Sequence, residues 1–391
     1  DFAACSTEIR DLFNDVSDLN RIFMRLQLEY GTELKERKSA IIFDEVQLAP
    51  KARQAIKYLV KDGRYDYIET GSLISIRKNV KNILIPSEEV KLHMYPMDYE
   101  EFKWALGDTA TIKLLQNCFN GRTSLGDATN RKLMRDFRLY MLVGGMPQAV
   151  SAYLETNNLE KVDSVKRSII TLYEDDFNKI DQSGNISKMF RQIPAQLTSN
   201  ANRYLTWRAT DGTRNSNLAE LISEMKESMV VNMAYHANDP SAGMALHQAP
   251  DKYKMFVGDT GLFVTLAFWD KKFTDNTIYH KLLSDKLNAD LGYVYENVIA
   301  QMLKAAGHEL YYYTFPTDSG KHNYEVDFLI ADEDKVSPVE VKSSGYKAHA
   351  SLDAFCGKFS ARIKNKYLIY TKDMRKEADM LYMPVYMTMF L

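Results

Sequence analysis

The stretch that most limits how this chain can fold is Ala40-Ile41-Ile42-Phe43-Asp44-Glu45-Val46-Gln47, an apolar run too short for a helix that ends in two adjacent acids. A run of this kind suits a strand buried on both faces, as in a parallel sheet. Tyr67-Ile68-Glu69 gives a second short strand, which runs into the small polar turn Thr70-Gly71-Ser72. Between them Ala52, Ala55, Ile56, Leu59 and Val60 recur at helical spacing within residues 51 to 61. Strand, helix and strand thus occupy about the length of one right-handed βαβ crossover, which sets the two strands side by side. Ligands of open α/β sheets bind at the carboxyl ends of such strands. Asp44, Glu45 and Thr70 are therefore expected to face one phosphate site.

An Asp followed by Glu at that edge is a Walker B pattern. In it Asp44 holds Mg²⁺ through water and Glu45 polarises the attacking water, while the hydroxyl of Thr70 or Ser72 senses the γ-phosphate of ATP. Taken alone, the same residues also read as a strand ending in a solvated acidic turn. A phosphate cradle of the Gly-x-x-x-x-Gly-Lys-Ser/Thr type occurs nowhere in the 391 residues. The chain opens without Met on Asp1-Phe2-Ala3-Ala4, which reads as the tail of a strand cut from something longer. Ile9, Leu12, Phe13, Val16, Leu19, Ile22, Phe23 and Leu26 then follow helical spacing, predicting one helix over two dozen residues.

A length of 391 residues suits two or three domains. The net charge of −2 gives no general field for nucleic acid, so such binding would need a local patch. Cys5, Cys118 and Cys356 lie far apart and no His-Glu-x-x-His occurs, which argues for a reducing compartment and against a zinc site. No stretch approaches 18 apolar residues and no signal peptide is visible, so a cytoplasmic protein without a membrane partner is expected.

Further along, residues 130 to 153 read as helical, with Arg131, Lys132, Arg135 and Arg138 ahead of a break at Gly144-Gly145-Met146-Pro147. The basic cluster reads first as a solvated face. Residues 160 to 235 read as mostly helical, and 193 to 231 suit a winged-helix unit: helix, turn at Asp211-Gly212-Thr213, helix from Asn217, then a strand. Glu220, Glu224 and Glu227 on the second helix would repel phosphates, which argues against DNA reading there. Asn238 to Asp251 reads as loop, Lys254 to Val257 as a strand, and Asp259-Thr260-Gly261 as the start of an apolar helix.

The last segment opens with a helix carrying Tyr295, Val298, Ile299, Met302 and Leu303 on its buried face, with Glu296 beside it. Strands follow at Tyr311 to Thr314, Tyr324 to Ile330 and Val336 to Val341, the last two joined as a hairpin. Side chains alternate along a strand, so Asp327 shares a face with Glu325, and Glu340 shares one with Lys342. Asp327, Glu340 and Lys342 can then converge, with Glu296 completing a shell for Mg²⁺. This is the PD-(D/E)XK arrangement. In it the acids hold the metal and the lysine orients water or steadies the phosphate.

In order, Asp-Glu-Val-Gln at 44 to 47, Thr-Gly-Ser at 70 to 72, Tyr-Pro-Met-Asp-Tyr-Glu-Glu-Phe at 95 to 102, Gly-Gly-Met-Pro at 144 to 147, Asp-Thr-Gly-Leu at 259 to 262 and Tyr-Glu-Asn at 295 to 297 resemble the AAA-type P-loop ATPases of bacteria and archaea that end in a PD-(D/E)XK nuclease-like domain. Two departures stand out: the phosphate loop is absent, and Pro86-Ser87-Glu88-Glu89 replaces the Gly-Arg of many members. The resemblance implies an α/β protein. A parallel P-loop-type sheet is followed by a mostly α-helical winged-helix-like domain and an α/β restriction-endonuclease-like domain. The divisions expected are an ATPase core at 1–105, a helical lid at 106–160, a winged-helix-like domain at 161–285 and a nuclease-like domain at 286–391. It implies ATP and Mg²⁺ as cofactors and an ATP-hydrolysing switch coupled to a domain that binds or cuts DNA or RNA; AAA relatives commonly work as rings, but no interface is legible in this sequence. The competing expectation is a non-catalytic adaptor with remnant sites that recruits protein partners.

Overall fold

Ala40–Phe43 forms a strand, β1, and Asp66–Glu69 lies beside it in parallel as β2, paired from Ala40 with Asp66 to Phe43 with Glu69. The structure is a computed structural model that describes residues 1–71, 89–199, 203–209, 218–271, 279, 282–284 and 292–391. Ahead of β1 run helices α1 (Thr7–Asp11) and α2 (Leu19–Tyr30), and the crossover from β1 to β2 is α3 (Pro50–Asp62). Pro50 opens α3, where its missing N–H costs nothing, and Gly63 closes it in the left-handed region at φ 74°. Ala52, Ala55, Ile56 and Leu59 of α3 pack with Phe2, Phe13, Phe23, Phe43 and Tyr65 in one core.

Two expectations change in this unit, which spans Asp1–Met94. The helix expected from Ile9 to Leu26 is broken between Asn14 and Leu19. The Asp15 carboxylate accepts the Ser17 N–H at 2.9 Å and that of Asp18 accepts the Arg21 N–H at 3.1 Å. Short acidic side chains that satisfy backbone donors locally favour a fresh helix start over continuation. The opening residues form a turn rather than a strand: Phe2 donates its N–H to the Asp44 carbonyl at 2.9 Å and stacks its ring on Phe43.

The second unit, Tyr95–Leu391, is mixed α and β. Its first helices are α4 (Tyr99–Ala105), α5 (Thr111–Gly121), α6 (Asp127–Val143), α7 (Pro147–Thr156), α8 (Leu159–Ile180) and α9 (Asn185–Thr198). After them come α10 (Thr206–Ala209) and α11 (Leu218–Glu227). Of the winged-helix expectation, the turn at 211–213 lies outside the described residues. α11 and the following strand β3 (Val231–Ala237) stand where a helix and strand were expected.

Beyond β3 the chain forms β4 (Gln248–Val257), α12 (Thr260–Ala267), α13 (Gly292–Ala305), β5 (Leu310–Pro316), β6 (Asn323–Asp332) and β7 (Lys335–Val341). It closes with α14 (Ala350–Lys358), β8 (Lys366–Tyr370), β9 (Arg375–Glu377) and β10 (Met380–Pro384). These strands make an eight-stranded sheet in the order β4-β3-β5-β6-β7-β8-β10-β9, which draws strands from both sides of residue 285. The pairs β3 with β5, β7 with β8 and β8 with β10 are parallel and the rest antiparallel. Residues 248–251, expected as loop, belong to β4 because β3 gives them a ladder partner. Among the described residues no helix is long and apolar enough to cross a membrane.

Candidate functional sites

At the carboxyl end of β1 the backbone turns sharply, with Glu45 in the left-handed region at φ 55°. The end is fastened to β2, since Thr70 donates its N–H to the Phe43 carbonyl at 3.0 Å and Val46 donates to the Thr70 carbonyl at 3.1 Å. The Thr70 hydroxyl donates to Asp44 Oδ1, and Gln47 Nε2 donates to Glu45 Oε2 at 2.5 Å. Asp44 and Glu45 are half-buried and Thr70 is exposed, so the acids are held in place yet open to solvent. Asp44, Glu45 and Thr70 therefore stand together, while Ser72 lies outside the described residues. Hard oxygen donors of this kind suit Mg²⁺, which takes one or two carboxylates together with substrate phosphates.

Behind this edge is an ion pair that the sequence reading missed. Arg53 of α3 is buried between Glu69 at the end of β2, 3.6 Å away, and Glu89, 3.1 Å away. Glu89 belongs to the segment that departs from the Gly-Arg of the resemblance. Burial raises the Glu69 pKa to about 7, Glu89 adds to the rise and Arg53 opposes it.

In the second unit the motifs that carried the resemblance meet in a buried polar knot. Met97 donates its N–H to the Gly145 carbonyl at 2.8 Å, and Gly145 donates to Asp259 Oδ2 at 2.5 Å. Asp259 also caps α12 by accepting the Leu262 N–H at 2.8 Å. Asn297 of α13 exchanges hydrogen bonds with the Val257 backbone, and Gln301 Oε1 accepts from the N–H and hydroxyl of Thr260. Gln301 Nε2 donates to the Tyr140 hydroxyl, which donates to the Met97 carbonyl at 3.0 Å. The glycines are needed for close approach: a Cβ on Gly145 would lie 2.0 Å from the Met97 carbonyl oxygen. Of the basic cluster, Arg138 is buried and Arg131, Lys132 and Arg135 are exposed.

Glu296, Asp327, Glu340 and Lys342 also come together. Phe328 pairs with Val339, which sets Asp327 beside Glu340, and the Asp327 carboxylate accepts the Val341 N–H at 2.8 Å. Lys342 Nζ lies 2.8 Å from Glu340 Oε1. Burial raises the carboxyl of Glu340 to about 8, with Asp327 adding to it, and raises that of Glu296 to about 7 against the pull of Lys254. Asp327 is pushed up by burial, again opposed by Lys254.

The sequence reading treated Lys254 only as part of a strand. Its Nζ donates to Glu325 and lies 3.8 Å from Glu296 Oε2. The signal for it was a single lysine within the apolar strand Tyr253-Lys254-Met255-Phe256-Val257. Glu296, Asp327 and Glu340 are the acids expected to ligate Mg²⁺. Among the described residues no three His, Cys, Asp or Glu side chains are placed to hold a metal ion. An ammonium already stands among these carboxylates and would repel a divalent cation.

A parallel βαβ unit with an acid pair and a hydroxyl at its carboxyl edge is an arrangement at which α/β proteins bind ligands. Comparison with known families agrees: residues 5–103 match the family model described as AAA domain. Residues 134–272 and 291–388 match two domains of unknown function, DUF8612 and DUF4143. The first match supports an AAA-type, ATPase-like domain over residues 5–103. No curated protein and no solved structure matches the chain.

Proposed function

We propose that the chain is an ATP-hydrolysing, AAA-type switch whose nucleotide state governs a C-terminal, nuclease-like domain that engages a nucleic acid or a protein. The supporting observation is the placement of Asp44 and Glu45 beside Thr70 at the edge of a βαβ unit within the AAA-matched region. Asp44 serves as the carboxylate that holds Mg²⁺ through water, and Glu45 as the base toward the attacking water. Thr70 or Ser72 reports the γ-phosphate. When bound, Mg²⁺ supplies the charge that offsets the phosphate oxygens. Segments 1–105, 106–160, 161–285 and 286–391 act in this reading as ATPase core, helical lid, winged-helix-like connector and nuclease-like module.

The test is Glu45→Gln in a chain that carries a phosphate-binding loop ahead of Asp1. ATP turnover is expected to be lost with nucleotide still bound, and unchanged turnover overturns the assignment. The 391 residues alone contain no such loop and are expected to bind ATP weakly, so micromolar affinity in a direct titration would locate the phosphate cradle elsewhere. A second reading, the non-catalytic adaptor, is favoured at the C-terminal site by one observation, the Lys254 ammonium among its carboxylates.

A further inference from the structure

The C-terminal cluster takes its acids from α13, β6 and β7, yet one of its cations comes from β4, at the far edge of the sheet. Lys254 is buried, and its side chain passes over the Tyr312 ring, with Nζ 5.4 Å from the centroid, to reach Glu325 and Glu296. Its charge acts on Asp327 as well. On the other flank Lys342 holds Glu340 Oε1. Glu340 Oε2 is buried with no hydrogen-bond partner among the described residues. A nuclease-type site keeps its acids free for a divalent ion, whereas here Glu296 shares with the neighbouring Glu325 a lysine that burial and ion pairing fix in place. Lys254 falls in the region that matches one family and the acids in the region that matches another, so the neutralising charge is supplied across two matched segments.

We propose that Lys254 is a built-in counter-ion that takes the place of the divalent metal in the C-terminal cluster, making this domain a metal-independent binding module. The proposal rests on reading the cluster as nuclease-like and is independent of the ATPase assignment. An ammonium is monovalent and cannot polarise a water or a phosphoryl oxygen as Mg²⁺ does. It can hold Glu296 and Glu325 together and leave the partly exposed Lys342, paired with Glu340, for an incoming anion.

Titration of the 391-residue chain with Mn²⁺ in the absence of nucleotide, read by the electron paramagnetic resonance of the free ion, tests this. The wild-type chain is expected to show no saturable uptake that Asp327→Asn removes. Lys254→Met is expected to gain one Mn²⁺ per chain, tighter by about a hundredfold or more than any wild-type uptake, and to lose it again when combined with Asp327→Asn. One saturable Mn²⁺ on the wild-type chain that Asp327→Asn abolishes overturns the proposal, as does a folded Lys254→Met variant that takes up no more than wild type. Should circular dichroism show Lys254→Met unfolded, the wild-type and Asp327→Asn titrations decide alone. Uptake that Asp44→Asn removes instead belongs to the ATPase site and leaves the wild-type C-terminal result as expected.

Discussion

Arg53 shows how one side chain sets the pH response of its surroundings. It is the shared partner of Glu69 and Glu89, and the Glu69 carboxyl is raised to about 7 chiefly by burial. A carboxyl that holds its proton more tightly in the folded than in the unfolded state contributes stability in full below its unfolded value of 4.5. That contribution fades as pH rises and is gone above about 7. Protection factors for amide exchange of α3 are therefore expected to fall between pH 4.5 and 7, and the fall to vanish in Glu69→Gln. Arg53→Met leaves two carboxylates facing each other with no cation between them. It is expected to cost about 3 kcal/mol of the first unit's stability, checked by the same exchange measurement. A shift below about 1 kcal/mol would mean that solvent already screens the pair.

The break between α6 and α7 and the start of α12 are held by one carboxylate, that of Asp259. Replacing it by Ala strands the Gly145 and Leu262 N–H groups, and about 3 kcal/mol of the second unit's stability is expected to go with it. Gly145→Ala drives a Cβ into the Met97 carbonyl and is expected to cost at least as much, read from urea unfolding followed by the fluorescence of Trp104 and Trp269. The break itself was legible, because the paired glycines and the proline of Gly144-Gly145-Met146-Pro147 are strong signals for ending one helix and turning the chain. So was the βαβ unit, where periodicity and acid placement agree over thirty residues of continuous chain. The knot was not legible as such. Gly145 and Asp259 lie 114 positions apart, and nothing local to either says that one will cap a helix while accepting from the other. The same holds for Lys254, whose neighbours in sequence are strand residues and whose partners arrive from α13 and β6. Asp327, Glu340 and Lys342 were found because hairpin pairing is a short-range relation.

Across the second unit, the order of the chain and the order of the sheet part at both ends, with β4 outside β3 and β9 outside β10. β10 inserts between β8 and β9, and the last turn buries Tyr386, whose hydroxyl donates to Asn130 Oδ1 at 2.8 Å. Asn130 also donates to the Thr371 carbonyl, while Asp373 accepts from the backbone of Leu125 and Gly126 ahead of α6. During synthesis the described first unit has been made once Met94 has emerged, but the second must wait for Tyr386. At translation rates of about 5–20 residues per second, that interval is roughly 15 to 60 s. Between Tyr370 and Pro384, about 1 to 3 s at the same rates, the β8 edge stands unpaired on a nascent chain, the condition under which strands find wrong partners. Chains stopped after Ala378 are expected to keep proteolytic protection over the first unit and lose it over the second. A holdase that shields β8 until β10 is made would raise the yield of the 391-residue chain and do nothing for the truncated one.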